Sequence, residues 1–166
     1  MKKLFKLSLL SSLLLPLLLV IICAAAITGD SSNTSSNGSS TGKRTTLTAK
    51  EVAQKASITE ERAEDVIKIL NYQLSKEGFT LAGSSGNLAV AERESGFDPK
   101  AINTGGGVAG YFQWSGWSNT VNGDRWAQAS SRTLDADVEL QLMSTELNGA
   151  YKKVKTEMQK ATDPGD

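Results

Sequence analysis

Residues Glu92–Trp117 read ERESGFDPKAINTGGGVAGYFQWSGW, and this stretch decides how the rest of the chain is read. Upstream of it an apolar-periodic helix is expected from about Leu81 to Glu94, stopped by Gly96 and Pro99. After the stop come three consecutive glycines and then a dense aromatic segment. Phe97, Tyr111, Phe112, Trp114, Trp117 and Trp126 all fall in this part of a chain with only 6% aromatic residues. Glu92 and Glu94 stand two apart at the helix end, so they face roughly opposite sides. If Leu88, Ala91 and Ser95 mark the buried side, Glu94 lies beside it. A helix C-terminus disfavours a carboxylate, and apolar neighbours such as Phe97 and Tyr111 would disfavour it further. Both effects favour a protonated acid, the form a general acid needs. The plain alternative is a solvated surface acid paired with Lys or Arg.

Outward from this stretch the patterns stay helical. Ser57–Glu60, SITE, reads as a capping box, followed by Ile58, Ala63, Val66, Ile69, Leu70 and Leu74 at helix spacing and a stop at Gly78. A last helical pattern starts near Asp135 and carries Val138, Leu142, Leu147, Tyr151, Val154 and Met158 on an apolar face, with Gly149 as an interruption. No strand-like alternation of any length and no internal repeat is present. The expected class is all-α, a globular domain behind an N-terminal membrane segment.

The N-terminus sets the expected compartment. Lys2, Lys3 and Lys6 precede an apolar run from Leu7 to Thr28. That run is about 20 residues long, enough to span a hydrocarbon core, and it ends in small residues that also suit a signal cleavage site. Residues 1–28 are therefore read as a signal anchor or a signal peptide, with the lysine end cytoplasmic and the remainder exported. The domain is expected at the cell membrane, single-pass and extracytoplasmic, or secreted if the signal is removed. Cys23, the only cysteine, follows Ile22 rather than a small residue and reads as one more apolar position in the run. Residues 29–44, rich in Ser, Asn and Gly, read as a flexible linker with a reach of roughly 20 Å. Residues 45–166 form one small domain that must fold without disulfides.

Composition excludes several chemistries. The chain has no histidine, which removes histidine-based nucleophilic schemes and histidine metal sites. It carries 18 basic and 18 acidic residues, and three of the lysines precede the apolar run, so the exported part is net acidic. Nothing forms a basic stripe for nucleic acid. No metal or other cofactor is expected. The glycines at 105–107 and Gly110 allow tight turns, aromatic faces suit sugar rings, and Gln113 with backbone groups can read hydroxyls and acetamides. Each aromatic taken singly reads more readily as a core residue, whereas the cluster as a whole suits a site.

The conjunction RESGFDPKAIN…GGGVAGYFQW resembles the motif of the lysozyme-like superfamily of peptidoglycan-cleaving domains. More narrowly it is similar to the phage tail-tip lysozyme family, which also occurs in cell-wall hydrolases of Gram-positive conjugation systems. The matching positions are Glu94, Ser95, Gly96, Phe97 and Pro99, then Gly105 to Gly107, then Gly110, Tyr111, Gln113 and Trp114, and the similarity runs from about Phe79 to the C-terminus. The resemblance implies Glu94 as catalytic acid and Ser95, Tyr111, Gln113 and Trp114 as substrate-binding residues. Tyr111 and Gln113 are expected to line the cleft, with Phe112 packed inward. Asp98 and Asp124 are the candidate second carboxylates. Val90 stands where such families often have Asn, and they often continue past the ATDP segment with another helix, so a C-terminally shortened domain is expected.

The resemblance implies cleavage of the β-1,4 bond between N-acetylmuramic acid and N-acetylglucosamine, by hydrolysis or by lytic transglycosylation. The partners it implies are peptidoglycan glycan strands, the membrane, and proteins of a conjugation or secretion apparatus. The competing expectation is a catalytically weak glycan-binding or scaffold module of such an apparatus.

Overall fold

The computed structural model describes residues 45–163, so the apolar run and the linker both lie outside the described residues. Among the described residues no helix is long and apolar enough to cross a membrane. Helix α1 (Ala49–Ala56) opens with a capping box in which Thr48 accepts from Glu51 N and the Glu51 side chain accepts from Thr48 N. The capping box expected at Ser57–Glu60 is not formed. Ser57 instead ends α1 in the left-handed region, its N–H donating to Ala53 O, and so is not available to start the next helix. Thr59 caps α2 (Glu60–Tyr72) by accepting from Arg62 N. With Thr59 at the cap, Glu60 falls at the first helical position and cannot reach back.

Helix α2 runs into a π-helical turn, Gln73–Glu77, closed at Gly78 with φ 70°. Thr80 then caps α3 (Leu81–Ser95) by accepting from Gly83 N, and its hydroxyl also reaches Ala161 O. Gly83 has to be glycine, since a Cβ there would lie 2.2 Å from Met158 O. The C-terminal segment is thereby pressed against the start of α3. The helix ends at Gly96 (φ 62°), and Phe97 (φ 63°) repeats the left-handed conformation. A non-glycine residue adopts that conformation at some cost, and the nearly complete burial of the Phe97 ring offsets it.

The all-α expectation holds for the bulk of the domain but misses a small antiparallel sheet in the order β1–β2–β3. Its strands are Ile102–Asn103, Val108–Ala109 and Trp114–Ser115. Two residues per strand are too few to show alternation in a sequence, and the pairing is imposed by the glycine turn between β1 and β2. A 3₁₀ turn, Arg125–Gln128, leads to α4 (Ala136–Asn148), which Asp135 caps at the expected place. Gly149 does interrupt the last helical pattern, and α5 (Lys152–Met158) continues in a new direction. Leu142 and Leu147 are buried as expected, but Tyr151 and Val154 are exposed because the chain has turned. Leu88 and Ala91 of α3, Phe97, Trp114, Trp126 and Leu140 meet in one core between the helices and the sheet.

Candidate active site

Helix α3 is the platform. Leu88 and Ala91 are fully buried, which fixes the opposite side of the helix toward solvent. Asn87, Val90 and Glu94 are spaced i, i+3, i+7 and therefore form one stripe. Asn87 and Val90 line a groove of about 200 Å³, and Glu94 lies one turn beyond Val90 with its side chain exposed. Phe97 and Tyr111, expected as apolar neighbours of the Glu94 carboxyl, are both packed in the core. Glu92 is half-buried on the other side of the helix, and burial pushes its carboxyl above the ordinary value.

The glycine-aromatic loop closes one end of the groove, with its side chains the other way round from the sequence expectation. Tyr111 is fully buried and donates from its hydroxyl to Asp65 Oδ1 at 2.5 Å. Burial and that bond raise its phenol pKa far above the usual range. Phe112, expected to pack inward, instead lines the groove and meets Trp114 edge-on at 5.1 Å. The reason is the φ of +86° at Gly110, which reverses the loop and aims the following ring at the core. Gln113, in the left-handed region at φ 49°, folds its amide back to donate to Ala101 O and Gly110 O at 3.1 and 3.0 Å. It braces the loop with the group expected to read sugar hydroxyls. Ser95 links this loop to the helix, its hydroxyl lying 3.0 Å from Ala91 O and 2.9 Å from Tyr111 O.

Trp114 is buried yet borders the groove, donating from Nε1 to Glu146 Oε2 at 2.9 Å. The same carboxylate takes both Nε and Nη2 of Arg125, whose guanidinium lies over the Tyr151 ring at 5.5 Å. Asp98 and Asp124 are engaged elsewhere. Asp98 pairs with Arg62 at 3.1 Å and accepts from Lys100 N, and Asp124 caps the 3₁₀ turn through Ala127 N. Among the described residues no group of three or more Cys, Asp or Glu side chains could hold a metal ion.

Three residues of this arrangement escaped the sequence reading: Arg125, Glu139 and Glu146. Glu139 and Glu146 share one face of α4 with Leu142 and Met143, at i, i+3, i+4 and i+7. Charged residues in register with a buried apolar face were the available signal.

Residues 61–166 match the profile of the phage tail lysozymes, a span that takes in α2 from its second residue, the whole glycine-aromatic loop and α4. The chain belongs to the phage tail lysozyme family, which makes it a lysozyme-like domain with peptidoglycan as its substrate. No curated protein and no solved structure matches it.

Proposed function

We propose that the chain cleaves the β-1,4 bond between N-acetylmuramic acid and N-acetylglucosamine, with Glu94 as the general acid. The observation that carries this reading is the stripe Asn87–Val90–Glu94, whose first two residues line the groove and whose third presents a carboxyl group to solvent one turn beyond it. A glycan strand laid along it would pack sugar faces on Val90 and Phe112. It would also exclude water from around the Glu94 carboxyl. Glu94 then protonates the glycosidic oxygen as the C1–O bond breaks.

The position of the two candidate second carboxylates supports a one-carboxylate reaction. A retaining or inverting hydrolase needs a second carboxylate facing the bond, and both Asp98 and Asp124 are already committed to structural bonds. In the transglycosylase reaction Glu94, now ionised, takes a proton back from the substrate's own hydroxyl, which closes an anhydro ring. Mass spectrometry of purified peptidoglycan digested by the protein should show anhydro-muramyl ends. Reducing muramyl ends would instead assign hydrolysis and reopen the search for a second carboxylate. An undigested wall would favour the glycan-binding or scaffold reading.

The setting we propose is local opening of the wall during conjugation or phage-related transfer, beside an apparatus that spans it. The basic start, apolar run and polar linker of residues 1–44 support a domain tethered outside the membrane. Protease added to intact protoplasts should remove the domain, and full protection would refute the exported placement.

A further inference from the structure

We propose that Glu139 is a positioning residue of this active site: its carboxyl group fixes the Gly110–Trp114 loop against Ser95 and thereby sets where Glu94 stands relative to the groove. The inference rests on Glu94 acting as the acid, as proposed above. Glu139 is fully buried on α4, and its Oε2 accepts from Tyr111 N at 2.6 Å. The Tyr111 carbonyl in turn accepts from Ser95 Oγ, so one residue of the loop is held through both its backbone N–H and its backbone carbonyl. The carboxyl occupies the space left by the missing side chain of Gly110, where a Cβ would lie 2.4 Å from Oε2. Glycine at 110 and glutamate at 139 therefore fit as a pair.

The second oxygen, Oε1, has no hydrogen-bond partner among the described residues. Burial pushes the Glu139 carboxyl up to about 8, against the lowering effect of the Tyr111 N–H bond. The other charges around it act in the same direction as burial. They are Asp135 at the start of its own helix, Asp65 on α2 and Asp98 after α3, with Arg62 bound to the last two. The group is thus neutral at pH 7 and becomes a buried, half-satisfied anion as pH rises through about 8. Ionisation strengthens the Tyr111 N–H bond but leaves charge on the buried, partnerless Oε1, so its cost falls on the packing of α4 against the loop.

The test compares wild type with Glu139→Gln, which keeps an acceptor for Tyr111 N, and Glu139→Met, which keeps the volume but offers none. Cleavage kinetics on purified wall are read together with hydrogen exchange at the Tyr111 amide by NMR. The Gln variant should keep Tyr111 protected and kcat within a few fold of wild type, without the fall in kcat that wild type shows through pH 8. The Met variant should lose Tyr111 protection and roughly ten- to hundredfold in kcat. Its core amides, such as Ile69 and Leu70, should stay protected. Wild-type kcat in Glu139→Met, or equal damage in both variants, would overturn the proposal. If the Met variant does not fold, the Gln variant decides: a pH profile identical to wild type overturns it. A wild-type protein that leaves peptidoglycan intact would refute the proposed function, while exchange at Tyr111 in the two variants still decides whether Glu139 holds the loop.

Discussion

Glu94→Gln should lower peptidoglycan cleavage by about 10²–10⁴-fold while the fold survives. The amide keeps the size and hydrogen bonding of the carboxyl but has no acidic proton to give to the leaving oxygen. Because Glu94 is exposed and has no hydrogen bond or ion pair among the described residues, circular dichroism and thermal midpoint should match wild type. Glu92→Gln is the informative control. Glu92 is the half-buried member of the pair, and burial already favours its neutral form, so a neutral amide should be tolerated with little loss of activity. A reading from protonation alone would choose Glu92, whereas a reading from position chooses Glu94, which continues the groove stripe. Zymography on purified wall separates the two. A fully active Glu94→Gln, or equal losses in both variants, would reject the assignment.

The second large effect concerns stability. Glu146→Ala should cost about 2–4 kcal/mol in urea unfolding, mostly from groups left without partners. The side chain is nearly buried and serves Trp114 Nε1 and both Nε and Nη2 of Arg125. Removal strands the buried indole N–H and releases Arg125 from under the groove. Arg125 itself is 39% exposed, so its own share is screened by water and adds little. Glu146→Gln should lie between wild type and Ala, because one oxygen can still accept from Trp114. A Glu146→Ala variant within about 0.5 kcal/mol of wild type would mean that water replaces both partners at no cost. That would make the Trp114 wall of the groove independent of α4.

These two residues mark different limits of sequence reading. Glu94 could be singled out as a candidate because the signals that point to it are local: the helix pattern from Leu81, the glycine stop and the ESGF signature are contiguous in the chain. Glu146 and Glu139 were not found, because their partners lie 32 and 28 residues away. The only local trace was acidic residues in register with an apolar face, which without a tertiary partner reads as a helix with a mixed surface.

The helical class, the Asp135 cap, the break at Gly149 and the stop at Gly96 follow from the sequence by itself, since backbone conformation, capping and amphipathic spacing act within a few residues. The glycine-aromatic motif likewise identified the family. Only the tertiary structure decided which aromatic faces the groove. A positive φ at Gly110 reverses the loop, so that Tyr111 enters the core and bonds Asp65 while Phe112 is left outside. Spacing along a strand cannot anticipate that reversal. The fates of Asp98, Asp124 and Gln113 were decided in the same way, by Arg62, the 3₁₀ turn and the carbonyls of Ala101 and Gly110. Polar side chains near a site bind whichever donor or acceptor the fold brings within about 3 Å, and that choice is made by packing between distant segments.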